Sequence, residues 1–419
     1  PPTPRLDQLY VWIDHILSLN LNAVYLGPVF ESSAHGYDTT DYFCVDRRLG
    51  DNQTLKNLIR AMKSRGLRVV LDGVFNHVGR DFWAFRDVQA NGSGSAYVDW
   101  FYNLNFQNRS PYGDSFSYEG WAGHYDLVKL NLQNPQVRQH LFDAIAMWVT
   151  EFDIDGLRLD AADTLHHDFM RELAQYCRQL KPDFWLMGEV VHGDYRGWAN
   201  VTMLDATTNY EGYKGLYSSH VDANYFEIAY SLNRQFGAEG IYKDLLLYSF
   251  ADNHDVNRVA SSLTKPAHLY PLYLLLFTIS GVPSIYYGSE WGIKGERAKN
   301  SDDVLRPAIN LTDIPTFPNP DLAKAIHQFA SVRANHPALR YGNYQQLYVA
   351  HEQFAFSRSI DNQMVIVAVN ASDKPQTITL TGLPQARFID QLNGQSFQSH
   401  AGKIDITLNP HWGSVLLAK

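Results

Sequence analysis

The feature that most constrains this chain is an alternation filling its first three hundred residues. Short runs rich in β-branched and aromatic residues lie at residues 23–28, 68–73, 156–160, 185–189, 201–205, 246–250 and 282–287. Longer runs with helical spacing, at residues 6–19, 54–65, 135–151, 167–179 and 225–236, fall between and around them. Strand–helix–strand order builds parallel strands, because a parallel partner is reached only through a crossover. This many units predicts an α/β fold, a closed (β/α)8 barrel. An open doubly wound sheet is the structural rival. No G-x-G-x-x-G segment follows a strand, which removes that rival's usual nucleotide-binding form.

The spacing is uneven in one place. About eighty residues separate the strand ending near Asp72 from the one ending at Asp160. The helical run at 135–151 fills only part of that gap. The rest, residues 79–131, is too long for an ordinary loop and predicts a small domain inserted after strand three. Beyond residue 338 the pattern changes to alternating runs at 354–358, 364–369, 377–380 and 404–408. These predict a C-terminal antiparallel β-sandwich over residues 339–419. The barrel is thus expected over residues 1–78 and 132–338. One core rarely organises more than roughly 250–300 residues, so a 419-residue chain requires such a division.

Composition narrows the function. Aromatics reach 13%, and flat rings suit the apolar faces of sugars or bases. A net charge of −9 repels a polyanion, which argues against nucleic acid and leaves a neutral sugar polymer. The uncharged stretch from Tyr270 to Tyr287 is broken by Pro271, Gly281 and Pro283. It reads as a buried helix leading into a buried strand rather than a membrane span, so no membrane partner is expected. Cys44 and Cys177 are the only cysteines, which excludes a disulfide scaffold. No signal segment opens the chain, and a cytoplasmic location is expected over secretion.

In a barrel, catalytic groups sit at the C-terminal ends of strands. Strand three ends in Asp72-Gly-Val-Phe-Asn76-His77, strand four in Arg158-Leu-Asp160, strand five in Gly188-Glu189, and strand seven in Asp252-Asn-His254-Asp255. Acids, imidazoles and a guanidinium on one rim are what glycosidic cleavage requires. One ionised carboxylate meets the positive charge at the anomeric carbon, and a protonated one donates to the leaving oxygen. Arg158 and Asp160 are two apart on a strand and share a face, so the guanidinium is expected to keep Asp160 ionised. Glu189 has no basic residue within two positions, and neighbouring carboxylates are expected to raise its pKa, as a general acid requires. Asp255 adds negative charge, His77 and His254 are donors for sugar hydroxyls, and Asp72 reads as a brace for Arg158. Adjacent His166 and His167 point apart on a helix and read as a solvated helix start, not a metal site.

Taken in order, DGVFNH (Asp72–His77), GLRLD (Gly156–Asp160), GEV (Gly188–Val190) and ADNHD (Ala251–Asp255) resemble the motifs of the α-amylase family of glycoside hydrolases. HGYDTTDY (His35–Tyr42) and GVPSIYYGSE (Gly281–Glu290) fit as well, so the resemblance spans nearly the whole chain. It implies the barrel, the inserted domain and the C-terminal sandwich. It implies Asp160 as nucleophile, Glu189 as general acid/base and Asp255 as transition-state stabiliser. It places Arg158, His77, His254 and Tyr37 around the sugar at the cleavage site, and Arg306 near the adjoining glucose. The expected substrate is an α-glucan or malto-oligosaccharide cleaved with retention. A glucanotransferase or sucrose-active enzyme would share all three carboxylates, whereas a non-catalytic sugar-binding barrel, the lesser alternative, is favoured by loss of one, and none is lost here.

LVKLN (Leu127–Asn131) and GEVVH (Gly188–His192) are similar to the cyclomaltodextrinase, neopullulanase and maltogenic amylase branch. That branch usually carries an N-terminal domain that supports dimerisation. Here the first barrel helix starts near residue 6, so a monomer is expected. Ala161-Ala162-Asp163 after the nucleophile departs from both the Lys-His of many α-amylases and the Val-Ala-Asn-Glu of this branch. Asn76 matches a calcium ligand of the family, with a hydrogen-bonding brace as the alternative reading. The chemistry itself requires no cofactor.

Overall fold

The computed structural model describes residues 2–299 and 301–419. They divide into two compact units, one formed by residues 2–17 and 21–208 and the other by residues 18–20 and 209–419.

The first unit is built on five parallel strands, Ala23–Leu26, Arg68–Gly73, Gly156–Leu159, Trp185–Gly188 and Ala206–Thr207, hydrogen-bonded in that order. Spatial order therefore equals chain order, as right-handed crossovers produce when each strand is laid beside the last. The central strands are buried on both faces, Val69, Val70 and Leu71 in one and Leu157 and Leu159 in the next, so their apolar runs are continuous rather than alternating. The crossover helices bury one stripe each. In Asn52–Ser64 it is Leu55, Leu58, Ile59 and Met62, and in His167–Leu180 it is Phe169, Met170, Leu173, Ala174 and Cys177. Asp51 caps the former by accepting from the Thr54 amide, and Asn134 caps Pro135–Met147, which has proline in its first turn.

One expected strand is displaced. Residues 201–205 form a turn with Val201 93% exposed, and the strand is Ala206–Thr207. Asn200 accepts from the Thr202 amide and hydroxyl and starts the turn. Asp205 then pins the strand by accepting from the Leu186 amide at 2.8 Å. An antiparallel hairpin, Phe30–Ser32 with Thr39–Val45, was also not anticipated. Beyond His77, the helix Trp83–Asn91 and a three-stranded antiparallel sheet (His77–Gly79, His124–Lys129, Gly120–Trp121) surround Phe85, whose ring packs edge-on against Phe101, Phe116 and Tyr118.

In the second unit, the parallel pair Tyr248–Ser249 and Val282–Pro283 is accompanied by helices Tyr210–Val221, Phe226–Phe236, Leu269–Thr278 and Leu322–Asn335. Every residue of Leu269–Thr278 except Tyr270 is buried, as the apolar stretch requires. Among the described residues no helix is long and apolar enough to cross a membrane. The remainder is an antiparallel sandwich. Six strands run in the order Asn343–Val349, Gln353–Ile360, Gln363–Asn370, Trp412–Ala418, Arg387–Asp390, Ser396–Gln398. They pack on the pair Gln376–Thr381 and Lys403–Leu408 through Ile366, Ala368, Phe388 and Leu416 on one side and Ile378, Leu380, Ile404, Ile406 and Leu408 on the other.

Candidate active site

Parallel pairing sets strand ends side by side. Asp72 pairs with Arg158, and Arg158 in turn pairs with Met187, two residues before Glu189. The Arg158 guanidinium, buried at the centre, collects three carboxylates, those of Asp72, Asp160 and Glu189. Its Nη1 donates to both Asp72 oxygens at 3.0 and 3.1 Å and to Asp160 Oδ1 at 2.8 Å, while Nη2 lies 2.7 Å from Glu189 Oε2. Asp72 also accepts from the hydroxyls of Tyr25 at 2.6 Å and Tyr37 at 3.3 Å. It braces Arg158, as its position on the adjacent strand implies.

Two local devices aim Glu189. A Cβ on Gly188 would fall 2.5 Å from Leu204 Cδ1 and 2.8 Å from Ala162 Cβ, so only glycine fits there. Ala161 has φ +45°, a left-handed conformation uncommon for a residue with a side chain, and its N–H donates to Glu189 Oε2 at 3.1 Å. Strain of roughly 1–3 kcal/mol is typical of such positions at functional sites. With the guanidinium and the amide both on Oε2, Oε1 is the oxygen left to carry a proton.

The electrostatics correct two expectations. Glu189 does have a cation, supplied from the neighbouring strand rather than from its own. Asp160, only 8% exposed, is not held at a low pKa. Burial pushes it up to about 7; Arg158 opposes this, while Asp72 and Glu189 reinforce it. Asp72 is likewise raised by burial against the pull of Arg158. Asp72 and Asp160, buried side by side against one cation, are both raised and titrate as a pair rather than singly. His77 sits against this set with Nε2 3.9 Å from Asp160 Oδ2. Burial lowers its pKa to about 4, so it is neutral. Its buried Nε2 has no hydrogen-bond partner among the described residues.

The second unit gathers the other expected residues. Asn253 accepts from the amides of Asp255 and Val256 at 2.8 and 3.2 Å and forms the turn that presents Asp255. Asp255, 35% exposed, has His254 Nε2 3.2 Å from Oδ2 and Arg306 Nη2 3.8 Å from Oδ1. Asp302, not foreseen, holds Arg306 Nη2 at 2.5 Å. The i, i+4 spacing of DDVLR was the available signal. Tyr25 was also missed, and its place on the first strand beside Arg68–Gly73 was its only signal.

Asn76 is buried, with Nδ2 3.2 Å from His77 Nδ1 and its carbonyl accepting from the Leu130 amide. Among the described residues no group of three or more His, Cys, Asp or Glu side chains is arranged to hold a metal ion. His166 turns to Gln133 and His167 packs edge-on against Trp198, so the adjacent imidazoles diverge. Cys44 and Cys177 are both free.

Residues 10–312 match the model of the α-amylase catalytic domain, and residues 344–413 match the maltogenic amylase C-terminal domain. The chain belongs to the α-amylase family of glycoside hydrolases. It is 31% identical to a cyclomaltodextrinase of Geobacillus thermopakistaniensis, across all of this chain and 71% of that protein. It is 30% identical to neopullulanase 2 of Thermoactinomyces vulgaris, across 96% of this chain and 69% of that one. A Bacillus cyclomaltodextrinase is 33% identical over 87% of this chain but only 65% of its own length. A solved cyclomaltodextrinase superposes with a TM-score of 0.87 at 29% identity, covering all of this chain and 73% of that one. The cyclic α-maltosyl-(1→6)-maltose hydrolase of Arthrobacter globiformis does so at 0.85 and 28%, covering 100% and 92%. The fold class is thereby that of the family, a (β/α)8 barrel followed by an antiparallel β domain.

Proposed function

We propose that this member of the α-amylase family hydrolyses α-1,4-glucosidic bonds in malto-oligosaccharides or cyclodextrins, in endo fashion and with retention of configuration. The observation that carries the reading is the Arg158-centred set of Asp72, Asp160 and Glu189, three carboxylates gathered on one buried guanidinium.

Asp160 Oδ2 attacks the anomeric carbon while Oδ1 remains on Arg158. Glu189 Oε1 delivers the proton to the leaving oxygen, and the pair of electrons from the broken bond goes with that oxygen. The covalent glucosyl–Asp160 ester is then hydrolysed by water, from which Glu189 removes a proton. Arg158 keeps its charge throughout and stabilises each carboxylate as it is left ionised. Neutral His77 donates or accepts at a hydroxyl of the reacting glucose, and Tyr37 supplies a ring beneath it. Asp255, by its place in the ADNHD motif, stabilises the oxocarbenium-like transition state, with His254 beside it. Arg306 engages the adjoining glucose. Retention by this route sets the Asp160 and Glu189 carboxyl groups about 5–5.5 Å apart.

Similarity to proteins named cyclomaltodextrinase, neopullulanase and maltogenic amylase supports an α-glucan substrate. One such relative, from Bacillus subtilis, is named intracellular, which favours a cytoplasmic location. The test is product analysis on maltoheptaose, cyclodextrins, pullulan and sucrose. Hydrolysis of the first two to short maltodextrins supports the reading. Chain-length redistribution without net release of reducing ends, or turnover of sucrose alone, refutes it in favour of a transferase.

A further inference from the structure

We infer that Arg258 is a positioning residue that fixes Asp255 and Arg306 relative to one another, an inference resting on the substrate roles proposed for those two residues. Arg258 lies three residues after Asp255 and is fully buried. Its Nε donates to the carbonyl of Leu305, the residue before Arg306, at 3.1 Å. Its Nη1 donates to Tyr287 O at 2.7 Å and to Ser289 Oγ at 3.1 Å. Ser289 in turn donates to the buried Asp252 carboxylate at 2.8 and 2.9 Å, and Asp252 accepts from the Val259 amide at 2.8 Å. The guanidinium lies over the Tyr286 ring at 3.9 Å. The Arg258 amide donates to Gly295 O at 2.9 Å, and a Cβ on Gly295 would sit 2.5 Å from Val304 O and 3.2 Å from the Arg258 side chain.

One planar fork thus joins two arms of chain. The first carries Asp252, His254 and Asp255. The second carries Asp302 and Arg306, whose turn closes through Leu305 N to Asp302 O at 2.8 Å and Arg306 N to Asp303 O at 3.0 Å. The 3.8 Å spacing of Arg306 and Asp255 is therefore set from behind by the Arg258 fork. A lysine has a single nitrogen and cannot hold Leu305 O and Tyr287 O at the fork's two angles. A bound Arg306 also lessens the like-charge field that would otherwise surround Asp255 next to Asp302. The consequence is specific: loosening Arg258 should weaken the hold on the glucose that Arg306 engages, and leave bond cleavage in a bound substrate less affected.

The test is a double-mutant cycle of Arg258→Lys and Arg306→Ala, read as kcat and KM on maltotriose and on 4-nitrophenyl α-glucoside, with thermal melting of each variant. The expected result is that Arg258→Lys raises KM for maltotriose about tenfold with a smaller change in kcat, and that the double variant is no worse than Arg306→Ala alone. Should Arg258→Lys fail to fold, Ser289→Ala loosens the same fork from its other end and should show the same KM-weighted loss, again non-additive with Arg306→Ala. Additive losses, or equal losses on both substrates, would overturn the inference and mark Arg258 as a residue of the core alone. A parent protein inactive on every α-glucoside would instead overturn the α-glucan reading, and the inference with it.

Discussion

Replacing Asp160 by asparagine should abolish turnover and, at alkaline pH, make the protein more stable. Burial and two neighbouring carboxylates raise this carboxyl's pKa from the ordinary value to about 7. At about 1.4 kcal/mol for each tenfold change in proton affinity, ionising it costs the folded state up to about 4 kcal/mol. The sign follows from the direction of the shift. A carboxyl with a raised folded pKa contributes stability that is complete below its unfolded pKa and is lost as pH rises through 7. Asparagine has no such loss. Asp72 is raised beside it and takes part of the change, so between pH 5 and pH 8 the stability difference should widen in favour of Asp160→Asn by about 2 kcal/mol. Urea unfolding of both proteins, followed by circular dichroism at pH 5 and at pH 8, measures it. A difference that is flat with pH, or that widens in favour of the parent, would refute the electrostatic account of the set.

Other outcomes follow from named contacts. Glu189→Gln should lose about 1,000-fold in kcat on maltotriose but far less on an aryl glucoside whose leaving group needs no proton, as measured by steady-state kinetics. Arg158→Met leaves the buried Asp72 and Asp160, and the half-buried Glu189, without their cation and should cost about 3–5 kcal/mol of stability at pH 7, measurable by urea unfolding, along with all activity. Ile406→Ala, between the two sheets of the sandwich, should cost about 2–4 kcal/mol while kcat/KM of the folded protein stays unchanged. EDTA should change neither melting temperature nor kcat if Asn76 serves as a hydrogen-bonding brace for His77, to which its Nδ2 lies at 3.2 Å; a fall in either would assign it to a bound cation.

What the sequence shows and what it hides differ for physical reasons. Continuous apolar runs such as Arg68–Gly73 are legible because both faces are buried. Residues 201–205 read as a strand because valine and threonine favour one, but Asn200 turns the chain first. Asp72, Arg158, Asp160 and Glu189 are legible as strand-end residues, and the motifs rank them. The cation beside Glu189 is not, because a neighbour rule applied along one strand overlooks the partner that parallel register places on the next. The same blindness hid Tyr25, whose hydroxyl reaches Asp72 from the adjacent strand. A neighbouring guanidinium correctly predicts a lowering influence on Asp160, yet burial outweighs it, and burial is not visible in a string of letters. Asp302 and Arg258 escaped because their partners lie in loops whose paths follow from packing alone.

The central claim is that Asp160 becomes covalently attached to glucose. Incubating the protein with a fluorinated α-glucosyl fluoride that slows turnover of the intermediate, then digesting it for mass spectrometry, tests this directly. The account predicts one added fluoroglucosyl group on the peptide carrying Asp160, absent from Asp160→Asn. A label on any other residue, or steady hydrolysis with an inverted anomeric product and no labelled peptide, would contradict it.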